Sequence, residues 1–288
     1  MHKSISAILR KYYKFSLLDW TTYIIGVLLI INAATLTVLE WYYKSLEEVE
    51  IYKELQYLLD AYKGTFTDEV KNLIYPNATQ SFWGGSTYWF TFMTNVYLAI
   101  TLAVFPFHKQ SKKAQVMFFA AIVYITITFS MYWLSIALDP NEFTKLSLFA
   151  KIKSIIFHAV TPFIAMVLIT LTRKHLRIDN VNIWALIIFP FFYYLFTLTI
   201  YFIGYKYKQN FGGSEIDRGI VIYVPVSFYQ PLGYQGQSVY LIVIFNIILF
   251  LMAVLTAPII GFIYRRVLRI RKTGQKSLPK LVYRRLIK

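Results

Sequence analysis

Residues 239–266 read VYLIVIFNIILFLMAVLTAPIIGFIYRR, and twenty-six positions from Val239 to Tyr264 pass without a charge before Arg265 and Arg266 end the run. At about 1.5 Å of helix rise per residue this stretch is roughly 39 Å long, more than the ~30 Å thickness of a bilayer's hydrocarbon core. Backbone N–H and C=O groups find no water there, so a single segment of this length crosses as a helix, which bonds its whole backbone internally. Five more runs have the same character: Trp20 to Leu39, Thr87 to Phe107, Ala114 to Leu138, Ser154 to Thr172 and Ile183 to Gly204. The alternating pattern of a membrane β-barrel is absent. In a chain that is 57% apolar, these runs predict an all-α polytopic membrane protein, one domain over residues 1–288 with six transmembrane helices.

Charge orients the bundle. With the amino terminus inside, residues 1–19, 108–113, 173–182 and 265–288 carry twenty Lys and Arg and only two acids, Asp19 and Asp179. Residues 40–86, 139–153 and 205–238 then carry ten basic residues and twelve acidic ones. The positive-inside rule therefore predicts a cell-membrane protein with both termini cytoplasmic. Much of the net charge of +16 is accounted for in this way. The basic tail 265–288 begins at the end of a membrane helix, where anionic lipid head groups attract it, so it is read as a lipid contact and not as a nucleic-acid site.

The outer segment 42–86 is too long for a turn. Val49, Tyr52, Leu55, Leu59 and Tyr62 recur at three- and four-residue steps, which predicts an amphipathic helix lying on the interface. A second short helix is expected from Thr67 to just before Pro76, opened by Asp68 and Glu69. Cysteine is absent, which excludes disulfides, thiol catalysis and cysteine-ligated metals. No phosphate-binding loop, HExxH or GxSxG motif occurs, nor the paired broken helices of a transporter repeat. The chemistry considered below calls for no cofactor or metal.

Function must then reside in polar groups within the spans. Of four histidines, only His158, in KSIIFHAVTPF, lies inside an apolar run. It is expected about one turn from the outer end of the fourth helix. The second helix also enters from outside, and Thr91, Thr94 and Asn95, at i, i+3 and i+4, share one of its faces at nearly the same depth. Ionisable groups in a membrane face the bundle interior or a wet cavity and mark functional sites. A hydroxyl and an imidazole are the minimum for nucleophilic acyl transfer, with Asp139 a weak candidate for the group that orients the ring. The same groups equally suit a lipid-binding or transport protein that only hydrogen-bonds a head group, or a subunit whose polar faces join helices.

GGSTYWFTF at residues 84–92, followed by HAVTPF at 158–163, resembles the androgen-induced gene family, which includes the androgen-dependent TFPI-regulating protein, and its bacterial relatives of the Pr6Pr type. TNVYLAI at 94–100 and the aromatic-proline segment IYVPVSFYQPLGY at 222–234 extend the resemblance in short patches. It implies a six-helix membrane hydrolase of fatty acid esters of hydroxy fatty acids. Thr91 stands at the family's nucleophile and His158 at its histidine. The family carries an acid at the position of Thr94, and its histidine lies one residue further from the proline. That offset turns a helical side chain by about 100° unless the helix is locally distorted.

The expected substrate is thus a long-chain lipid ester entering from the outer leaflet. Thr91 is the expected nucleophile and His158 the general base and acid, with Thr94 or Asn95 donating to the oxyanion and Trp83, Trp89 and Tyr223 lining the entrance.

Overall fold

The computed structural model describes residues 12, 15–61, 86–138, 140–211, 215, 220–221 and 226–275. The short helix expected from Thr67, as well as Trp83, Asp139, Tyr223 and the tail beyond Gln275, lie outside these. Six helices are long and apolar enough to cross a membrane. They are α1 (Leu17–Ala61), α2 (Phe90–His108), α3 (Lys112–Leu138), α4 (Leu148–Ile155 and Thr161–Thr172, joined through Ile156–Val160), α5 (Asn180–Trp184 and Ile188–Phe211, joined through Ala185–Ile187) and α6 (Val239–Val267). No strand occurs among the described residues; two loop segments touch in one isolated bridge, Arg177 with Arg271. The protein is a multi-pass α-helical membrane protein.

The first helix departs from the sequence expectation. The stretch expected to lie flat on the interface continues α1 without a break, as one helix of 45 residues. No Gly or Pro falls between Glu40 and Ala61, and the strong helix formers Glu and Leu supply five and four of the residues there, so nothing stops propagation. At about 1.5 Å per residue the helix is roughly 68 Å long, so its second half stands clear of a ~30 Å core.

Helix α3 is the axis of the bundle. From Phe118 to Ile125 its side chains are buried on every face, the signature of a helix enclosed by its neighbours. Leu98 and Leu102 of α2, Ala165, Leu168 and Ile169 of α4, Ile183 and Leu186 of α5 and Ala257 of α6 complete this core. In lipid, apolar contact alone does not drive helices together, so close packing and interhelical hydrogen bonds must. Tyr124 Oη donates to the Leu186 carbonyl (3.0 Å), and the Thr126 and Tyr264 hydroxyls bond each other (2.7 Å). Gly26 is where α1 meets α2: a Cβ built there falls 2.3 Å from Ala103 N.

Ion pairs close the end of the bundle that carries both termini. Lys109 pairs with Asp19. Asp179 accepts from Lys112 Nζ (2.6 Å), Thr273 Oγ1 (2.7 Å) and Thr273 N (2.9 Å), and its own N–H donates to Asn182 Oδ1 (3.2 Å), opening α5. The Lys112 ammonium and the Thr273 donors hold the Asp179 carboxyl well below the usual carboxylate range. At the other end, Tyr201, Ile220, Val221 and Phe228 form a satellite core.

Two outcomes follow from this packing. Gly26→Leu separates α1 from α2 and should cost about 1–3 kcal/mol, read as a lower unfolding midpoint in detergent, with no change at the exposed control Leu28→Ala. For Asp179 the lowered folded-state pKa stabilises the fold above the unfolded carboxyl value near 4, and this contribution is lost as pH falls below that value. Because the pair is about one-third exposed, solvent screening holds its worth to roughly 1 kcal/mol. Unfolding midpoints of the native chain and Asp179→Asn should therefore differ at pH 6, and the gap should narrow progressively as pH falls from about 4 through the lowered folded-state pKa; a constant gap would show that the carboxylate charge is not what matters.

Candidate active site

Thr91 and His158 meet. Thr91 Oγ1 lies 3.1 Å from His158 Nε2, and both residues are partly exposed, so the pair can be reached from outside the packed core. On the other face of the imidazole, Nδ1 is 3.0 Å from the Ser154 carbonyl. A carbonyl only accepts, so Nδ1 carries the proton. In the neutral ring Nε2 is then an acceptor, and the Thr91 hydroxyl donates to it. This is the tautomer a general base needs.

The local backbone explains how His158 reaches across. Ile156–Val160 form one π turn within α4, with the Thr161 N–H bonded to the Ile156 carbonyl five residues back. Single π turns of this kind recur at functional sites. The wider turn changes the angular register between residues before and after it. Neighbouring side chains hold the turn: Asn95 Nδ2 donates to the Phe157 carbonyl (3.3 Å), and Trp133 Nε1 donates to the His158 carbonyl (2.8 Å). Tyr132 lies against the imidazole, ring centroids 3.7 Å apart and planes 13° from parallel.

Thr91 is equally fixed. It is the second residue of α2, whose first N–H, at Phe90, donates to Tyr193 Oη (2.8 Å). Thr22, Thr37, Thr126, Thr170 and Thr172 bond back to the carbonyl one turn earlier, as threonines in membrane helices do. The Thr91 hydroxyl bonds the histidine instead.

Thr94 and Asn95 do not stand where an oxyanion donor is needed. Thr94 Oγ1 is fully buried behind Thr91, 3.0 Å from the Thr91 carbonyl and 2.8 Å from Thr128 Oγ1. Asn95 spends its N–H groups on the carbonyls of Thr91 (2.8 Å) and Phe157. Both residues build the walls. Two polar atoms, Tyr132 Oη and Asn95 Oδ1, are buried with no partner among the described residues, although buried polar groups are normally satisfied. Trp89, exposed at 38%, precedes α2 and stands at the rim.

An ion-paired cluster stands above the pair. Lys153 Nζ lies 2.7 Å from Glu40 Oε1 and donates to Ser86 Oγ (2.7 Å), and Ser86 Oγ donates to Glu40 Oε2 (2.9 Å). Ser86 and Lys153 each precede one of the two central residues by five positions, so the cluster ties α1 and the chain entering α2 to α4 directly over the site. The ammonium stays with its carboxylate, so Ser86 has no free base beside it. Sequence reasoning missed this cluster because Glu40 and Lys153 counted only as loop charges. It also placed His158 too near its helix end: α4 begins at Leu148, ten residues earlier, or about 15 Å along the axis. The loop carrying Phe228 and Pro231 makes its contacts with Tyr194, Tyr201 and Asn246 of α5 and α6.

Nitrogen-15 spectra of histidine-labelled protein test the assignment. The His158 signals should show a protonated Nδ1 and an unprotonated Nε2, and Thr91→Val should move the Nε2 resonance while sparing Nδ1. A protonated Nε2 would reverse the direction of the Thr91 bond.

No family model matches the chain, and no solved structure matches it. Among curated proteins it is similar to the uncharacterized protein MG452 of Mycoplasma genitalium, 27% identical over 164 residues, which cover 50% of this chain. The match spans 63% of that protein's length, less than two thirds.

Proposed function

We propose that the protein is an intramembrane lipid hydrolase that cleaves long-chain carboxylic esters, of the hydroxy-fatty-acid ester type, through Thr91 and His158. The 3.1 Å contact between the Thr91 hydroxyl and the unprotonated ring nitrogen carries the reading. Resemblance to the androgen-induced gene family supports the same two residues. The topology that places both termini in the cytoplasm puts the pair in the outer half of the membrane, where an ester group sits near the interface while its chains stay in hydrocarbon.

In this reaction Thr91 Oγ1 attacks the ester carbonyl carbon and its proton passes to His158 Nε2. The tetrahedral oxyanion collapses, the bond to the alcohol oxygen breaks, and that oxygen takes the proton. Water attacks the acyl-threonine carbonyl carbon in turn, giving a proton to His158 Nε2; the bond to Thr91 Oγ1 then breaks, Oγ1 takes that proton back, and the acid leaves. The Ser154 carbonyl and the Tyr132 ring keep the imidazole in orientation. With Thr94 and Asn95 committed to carbonyls, the Tyr132 hydroxyl, buried and without a partner among the described residues, is our candidate donor to the developing oxyanion.

One observation favours a second reading, a lipid-binding or transport protein without chemistry. The ring is oriented by a carbonyl and no carboxylate adjoins it among the described residues, so nothing charged stabilises an imidazolium. Purified protein separates the two. The hydrolase should react with a long-chain fluorophosphonate and turn over a hydroxy-fatty-acid ester. Thr91→Ala or His158→Ala should each lower turnover on the order of 10³-fold or more, and Tyr132→Phe should lower kcat by about 10- to 100-fold at similar KM. Absence of labelling and turnover in the native chain, with lipid still bound, assigns the second reading.

A further inference from the structure

A second site lies at the end of the bundle that carries both termini. The loop after α4 and the loop after α6 meet in the bridge between Arg177 and Arg271, where Ile178 N donates to the Arg271 carbonyl (2.9 Å). A cavity of about 290 Å³ opens beside them, with Lys112, Lys174, His175 and Thr273 also on its wall and no carboxylate among its lining residues.

Of the charges lining this cavity only Lys112 is matched by a carboxylate among the described residues, Asp179. The segments at this end contain two acids, Asp19 and Asp179, and the terminal stretches 1–14 and 276–288 contain none. Asp19 is held by Lys109 and Ser16, and Asp179 by Lys112 and Thr273. Among the described residues both guanidinium groups find neutral partners only: Arg177 Nη1 donates to the Gln275 carbonyl (3.3 Å) and Arg271 Nη2 to the Lys174 carbonyl (2.6 Å). Arg271 Nε is buried and has no partner among the described residues. Backbone pairing thus fixes two arginines side by side, with Lys174 next to them. Like charges so placed repel unless an anion lies between.

We propose that this cavity binds a phosphate ester. Two guanidinium forks converging from separate loops match the oxygens of a phosphate, which accept bidentate pairs, and Lys174 adds a third unmatched charge. The volume lies at the small end of the ~300–1,000 Å³ typical of ligand pockets, suiting a head group and not a whole lipid. The site stands at the start of α3 and just past the end of α6, the level at which lipid phosphates lie. A phospholipid head group and a soluble phosphate monoester share the required chemistry.

Full-length protein in a maltoside detergent tests this with two probes, dimyristoyl phosphatidic acid by native mass spectrometry and glycerol 3-phosphate by calorimetry. Retention of the first alone assigns a lipid head group, and binding of the second a soluble ester. In either case affinity should fall by about tenfold or more in Arg177→Gln/Arg271→Gln. It should fall severalfold in Lys174→Gln/His175→Gln, whose side chains are exposed and whose folding is not at issue. The charge-matched control Arg266→Gln/Lys272→Gln, outside the cavity, should bind as the native chain does. Binding of neither probe, loss equally large in the control, or affinity unchanged in both cavity variants overturns the proposal.

Discussion

Every backbone polar group in hydrocarbon must be bonded within the protein, and that requirement shapes both the bundle and the π turn at Ile156–Val160. Helices meet it automatically; a π turn does not, because it interrupts the regular i→i+4 ladder. At Ile156–Val160 the cost is met by side chains from two other helices, Asn95 on the Phe157 carbonyl and Trp133 on the His158 carbonyl. The bonds that pin the irregular backbone also fix the position of the imidazole. Distortion and site are therefore one feature: without the wide turn His158 points elsewhere, and without Asn95 and Trp133 the wide turn leaves carbonyls unpaired.

Charge is handled by the opposite strategy at the two ends. Over the Thr91–His158 pair, Glu40, Lys153 and Ser86 form a closed set in which donors and acceptors match. Buried ion pairs contribute little net stability, and their best-attested use is to fix register. This one sets where α1, the entry to α2 and α4 stand relative to each other. At the end that carries the termini, basic residues outnumber acids by far, and the two carboxylates there are each committed. The excess reflects the topology signal. What composition alone does not explain is the backbone bridge that forces Arg177 and Arg271 together.

The six spans were legible because length in hydrocarbon is a strong constraint: twenty-six uncharged residues from Val239 to Tyr264 admit few structures. The approach of Thr91 to His158 was legible because both lie in spans that run inward from the same side, although His158 was placed too near its helix end. Details that depend on tertiary contact were not. The continuation of α1 through Ala61 has an amphipathic period that fits an interfacial helix equally well, and only the absence of Gly and Pro hinted that the helix runs on. The roles of Thr94 and Asn95 were misassigned because their spacing places them on the face of Thr91 but does not say which carbonyls compete for their protons. Tyr132 and Trp133 gave no signal at all. Aromatic residues near a helix end are expected at any membrane interface, so their work on the imidazole emerges only from a ring separation of 3.7 Å and a bond to one carbonyl.

In the proposed hydrolase, the use of a carbonyl where soluble hydrolases place a carboxylate follows from the solvent. A carboxylate beside the ring would have to be buried in the membrane with its charge, at a cost of several kcal/mol after relaxation. The Ser154 carbonyl is already there, selects the same tautomer, and carries no charge to desolvate. It gives less help once the ring is protonated, so more of the transition-state charge must be met by donors to the oxyanion. Those donors cannot be the Thr94 and Asn95 groups, because withdrawing them unpairs the carbonyls that hold the site together. In that proposal the burden falls on a hydroxyl that is buried and not engaged by the described residues, and Tyr132, whose ring lies against the imidazole, is our candidate for it.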